Sequence, residues 1–69
     1  MNLLQEIKIL NDLDDLYDHY EELREKANEA RLYGYNGDAV GLAVMAYKVK
    51  SLYEQKFQDY ILDMSLNNL

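Results

Sequence analysis

Residues 33–38 read Tyr33-Gly34-Tyr35-Asn36-Gly37-Asp38, and this short stretch decides the fold. The chain has three glycines and no proline, and all three glycines fall between positions 34 and 41. On both sides the sequence is rich in Leu, Glu, Lys, Ala and Met, which favour helix. Gly34 suits the left-handed conformation that ends a helix. Asp38 or Asn36 suits the role of acceptor for the free amides that begin the next one. The reading is therefore one helix over roughly 2–33, a turn over 34–38 and a second helix over roughly 38–66.

Periodicity supports two helices that pair. Ile9, Leu13, Leu16, Tyr20, Leu23, Ala27 and Ala30 follow alternating steps of four and three, an uninterrupted heptad seam. Downstream of the turn, Ala39, Leu42, Ala46, Val49, Tyr53, Phe57, Tyr60 and Met64 form a second seam, with one irregular 4-4 step at Phe57. A short turn makes such helices antiparallel neighbours. Side-chain size agrees with that register. Small residues (Ala27, Ala30, Ala39, Ala43, Ala46) lie near the turn on both helices, and Leu13, Leu16, Tyr20, Tyr53, Phe57 and Tyr60 lie farther out. The predicted hairpin is narrow at the turn and thick at its open end.

A chain of 69 residues forms a single domain. Chains this short usually need a staple or a partner subunit. No cysteine is present, so there is neither a disulfide nor a thiolate metal site. That absence fits a cytoplasmic protein. The start of the sequence has neither the basic region nor the small-residue cleavage site of a signal peptide. Its uncharged runs are far shorter than the ~20 residues of a membrane-spanning helix. The net charge of −6 disfavours direct binding to nucleic acid or to an anionic membrane.

Each helix carries more apolar surface than one mutual interface uses. Leu3, Ile7 and Leu10 form a stripe off the first seam, and Val40, Val44 and Tyr47 point away from the second. Self-association into a four-helix bundle dimer, or a higher symmetric oligomer, would cover this surface and enlarge the core. The competing reading is an interface for a different protein.

Residues 12–22, DLDDLYDHYEE, contain six acids and no Lys or Arg. With Leu16 toward the partner helix, Asp14, Asp18, Glu21 and Glu25 point nearly opposite, flanked by Asp15 and Glu22. The simplest reading is a solvated face. Yet like charges one turn apart destabilise a helix slightly, and an ordinary solvated face mixes in lysines. The imbalance makes this row a candidate for binding a basic surface on a partner protein. His19 sits beside Asp12, Asp15 and Glu22, but a lone histidine with mobile carboxylates is a weak metal site, and none is assigned. No cofactor is expected.

Seven tyrosines remain. Tyr20, Tyr53 and Tyr60 fall on the seams and Tyr17 beside one. Tyr33, Tyr35 and Tyr47 surround the turn, where they either cover the small-residue end of the hairpin or form part of a binding surface. Lys56 falls close to the second seam, where its stem would pack while its ammonium reaches out. Catalytic machinery is not in sight: one histidine, no nucleophile elbow, no phosphate loop.

The sequence thus points to a non-enzymatic interaction module. It would be an acidic helical hairpin that inhibits or regulates a protein with a basic surface, for instance one that handles nucleic acid. Size and composition suggest a phage or mobile-element origin. The alternatives are a purely structural assembly subunit and capture of a small ligand, such as a nucleotide, between subunits.

Overall fold

A computed structural model describes residues 2–67. The chain folds into two helices, α1 (Leu3–Leu32) and α2 (Asn36–Asn67), packed along their whole lengths in a hairpin of 53 × 17 × 11 Å. α1 starts with a capping box. The Asn2 side chain accepts from the Gln5 amide at 2.8 Å, and the Gln5 side chain accepts from the Asn2 amide at 3.3 Å. Two of the amides that a helix start leaves unpaired are thereby satisfied.

The turn is shorter than 34–38. Gly34 adopts φ +85°, the left-handed conformation that an L side chain resists. The Tyr35 amide then donates to the Ala30 carbonyl at 2.8 Å and the Gly34 amide to the Arg31 carbonyl at 3.1 Å. This is the Schellman arrangement, which satisfies the last carbonyls of α1. One reversal suffices. The Tyr35 carbonyl already accepts the Ala39 amide at 2.9 Å, so α2 begins at Asn36. Asn36, Gly37 and Asp38 are its first turn and not a loop. Among the described residues neither Asn36 nor Asp38 caps α2 through its side chain. Asp38 instead lies where a negative charge meets the positive end of the helix dipole.

The core is thin. Leu13, Leu23, Ala39, Ala46 and Tyr60 are its buried residues, and every α1 seam position is buried or half-buried. On α2 the seam departs from expectation in its second half. Phe57 is 42% exposed and Met64 39% exposed. Two consecutive steps of four swing a helical stripe sideways, whereas alternating three and four keeps it on the partner. The regular path runs Ala39, Leu42, Ala46, Val49, Tyr53, Lys56, Tyr60. Lys56 therefore takes the position expected for Phe57, and Phe57 stacks on Tyr53 with ring centroids 6.0 Å apart.

Tyr60 closes the open end. Its hydroxyl donates to the Glu6 carboxylate at 2.9 Å, across 54 residues of chain. Hydrogen bonding to Glu6, followed by burial, pushes the Tyr60 phenol above its ordinary pKa.

Candidate functional site

A two-helix hairpin has two broad faces, and here they differ in chemistry. One carries the aromatic residues. Tyr17 meets Tyr53 at a centroid distance of 5.8 Å and Tyr20 at 6.3 Å, both tilted. The Lys50 ammonium sits 5.9 Å from the centre of the Tyr20 ring, within cation–π range. Hydrogen bonding to Glu21 first, and its charge second, raises the Tyr17 pKa. Toward the turn the same face opens into a groove lined by Ala27, Ala43 and Ala46, by Tyr20 and Tyr47, and by the polar side chains of Arg24, Asn28 and Lys50. Toward the open end, Leu3 and Leu10 lie fourteen and seven residues before Tyr17, two and one heptads away, and so share its face. By the same spacing Met64 follows Phe57, and Ile61 follows Glu54, which lines the aromatic groove. Leu3, Leu10, Phe57, Ile61 and Met64 are all exposed, with Ile7 at the shoulder.

The other face is charged. Asp12, Asp15, Leu16 and His19 line a shallow groove together with Lys56. Next to it Asp59 and Asp63 of α2 line a second groove with Asp12 and Lys56. The seam position that an apolar side chain would occupy thus holds an exposed lysine, Lys56, on the face that carries Asp12, Asp15, Asp59 and Asp63. His19 is exposed, and among the described residues no group of three His, Asp or Glu side chains is placed to hold a metal ion.

The six acids Asp14, Asp15, Asp18, Glu21, Glu22 and Glu25 form a row on the outer side of α1. All are exposed except Glu21, which is half-buried. Glu22 is matched by Lys26 one turn on, at 3.1 Å. Such an exposed pair contributes little, about 0.3–0.5 kcal/mol. The turn aromatics do not cover the small-residue end. Tyr33 is 77% exposed and Tyr35 62% exposed, because both sit on the reversal itself, outside the reach of either helix. Tyr47 turns to the alanine groove without them.

The two apolar stripes are not brought together. Leu3, Ile7 and Leu10 lie at the open end. Val40, Val44 and Tyr47 lie at the turn end, and all six are exposed. Sequence reasoning missed Ile61 and assigned Phe57 and Met64 to the core. The signal that finds them is the heptad count through Lys56, which places all three beside the seam.

Among the described residues no helix is long and apolar enough to cross a membrane. No family model matches the chain, and comparisons with curated proteins and with solved structures likewise returned no match.

Proposed function

We propose that this chain is a non-enzymatic interaction module whose acidic row on α1 binds a basic surface of another protein in the cytoplasm. The observation that carries the reading is the placement of Asp14, Asp15, Asp18, Glu21, Glu22 and Glu25. Asp14, Asp18 and Glu25 are on the side of α1 that faces away from α2, with Asp15, Glu21 and Glu22 on its flanks, on a helix held from behind by Leu13, Leu16, Tyr20 and Leu23. A row of carboxylates on a fixed helix, with a lysine against Glu22 alone, presents regularly spaced negative charge of the kind a phosphate-binding surface accepts. A nucleic-acid-handling protein of phage or host origin is the partner class that fits.

The test replaces Asp14 and Asp18 with Asn and Glu21 and Glu22 with Gln. These positions are exposed or half-buried, so the helix survives. Parallel affinity capture with the two forms should retain a basic protein on the wild type and lose it on the variant, and 0.5 M salt should release it. Equal capture by both forms removes the acidic row from any binding role.

A second reading, a structural assembly subunit, is favoured by a separate observation. Large apolar side chains stay exposed along the aromatic face while only five of the described residues are buried. The two readings use different faces and are compatible.

A further inference from the structure

We infer that the aromatic face is the self-interface, and that two hairpins dock on it antiparallel, related by a two-fold axis beside Tyr17 and Tyr53. Three observations converge on this arrangement.

The first is area. The hairpin exposes 5555 Å². A compact monomer of 8.1 kDa exposes about 4500 Å² by the usual size scaling. The surplus is on the order of 1000 Å², and a stable dimer buries about 800 Å² on each partner. A second copy is an occupant of the required size.

The second is shape. The face is thick with Leu10, Phe57, Ile61 and Met64 at the open end. At the turn end it is hollow over Ala27, Ala43 and Ala46. Antiparallel docking lays the bulky half of each hairpin on the hollow half of the other. Tyr17 and Tyr53 lie close to the middle of their helices, so the aromatic cluster meets its own copy at the axis. Tyrosine clusters of this type are the residues that dominate interface energies.

The third is charge, and it decides the direction. Divide each helix at its midpoint, giving an open half and a turn half. The open half, residues 3–17 and 52–67, holds seven acids against Lys8 and Lys56, a net charge of −5. The turn half, residues 18–51, holds six acids against Arg24, Lys26, Arg31, Lys48 and Lys50, a net charge of −1. Most of the net charge of the chain therefore sits at one end. Docking open end on open end would set −5 against −5 within about a Debye length. Antiparallel docking sets each acidic half against the half that carries five cations.

The chain has no cysteine, so a single substitution carries a single spin label. Leu4 and Leu32 are exposed, near opposite ends of α1 and off the proposed face. Each lies about 20 Å from the helix midpoint at 1.5 Å per residue. In the antiparallel dimer, Leu4→Cys and Leu32→Cys labels should each give an inter-label distance of roughly 40–45 Å, with a solution mass twice that of the chain. Ile61→Glu should halve the mass, and Val44→Glu, off this face, should leave it unchanged. A monomer at 0.1 mM overturns the inference. So does a short distance at either label, which means docking of like ends. So does dissociation by Val44→Glu but not by Ile61→Glu, which places the interface elsewhere.

Discussion

Alanine at the three glycines has opposite consequences for stability at neighbouring positions, and the structure sets each sign. An added Cβ meets nothing within 4 Å at Gly34, Gly37 or Gly41, so no effect is steric. What differs is the backbone. Gly34 holds φ +85°, and an L side chain forced into the left-handed region costs about 1–2 kcal/mol. Gly41 lies inside α2, where alanine is favoured over glycine by about 0.5–1 kcal/mol. Gly37, in the first turn, should gain about half as much. In a domain of this size 1 kcal/mol moves Tm by about 4–8 °C. Gly34→Ala should therefore lower Tm by about 5–12 °C, and Gly41→Ala should raise it by about 3–8 °C. Helical circular dichroism followed through thermal and urea unfolding measures both, at one fixed protomer concentration because assembly adds stability by mass action. A Gly34→Ala chain as stable as wild type would refute the Schellman reversal as the device that separates the helices. A Gly41→Ala chain less stable than wild type would mean that another surface packs closely against that part of α2.

Other consequences are equally direct. Leu23 is 5% exposed in a five-residue core, and Leu23→Ala should destabilise by about 2–4 kcal/mol in urea titrations; a loss under 1 kcal/mol would mean that the seam is not the core. Lys56→Gln removes the cation from the face that carries Asp12, Asp15, Asp59 and Asp63. It should destabilise by less than about 0.5 kcal/mol at low salt, because the lysine is exposed, and the loss should vanish in 1 M salt, where screening acts within about 3 Å. Tyr60 has a raised pKa in the folded state, so its contribution is complete below the ordinary tyrosine range and disappears as pH climbs through the raised value. Ultraviolet titration should show a late-ionising phenol that Tyr60→Phe removes and Glu6→Gln shifts down; no change in either variant would dissociate the 2.9 Å contact from the titration.

Much of the architecture is readable without coordinates, because helices announce themselves locally. Clustered glycines break the chain once, and left-handed Gly34 needs only its own φ to do so. The α1 seam is legible for the same reason: its heptads are continuous, and each member from Ile9 to Ala30 is at least half-buried. The Asn2–Gln5 capping box is picked out by its hydrogen-bond geometry.

What needed the tertiary structure was every question of which side faces what. The 4-4 step through Phe57 and the regular step through Lys56 are both helical, and hydrophobicity alone prefers the phenylalanine. The crossing of α1 and α2 chose the lysine, because only a 3-4 alternation keeps a stripe on its partner over two helices of this length. That small rotation moved Phe57 and Met64 out of the core and onto one face with Leu3, Leu10, Tyr17 and Ile61. The sequence by itself determines that this chain is a hairpin with more apolar surface than a hairpin can bury, and that its acids outnumber its bases by six. Only packing decides that Leu3, Leu10, Tyr17, Phe57, Ile61 and Met64 share one face while Val40 and Val44 stay off it, and that the antiparallel hairpin gathers five of the six net charges at the open end. Both are relations between residues far apart in the chain, and only the fold brings such residues side by side.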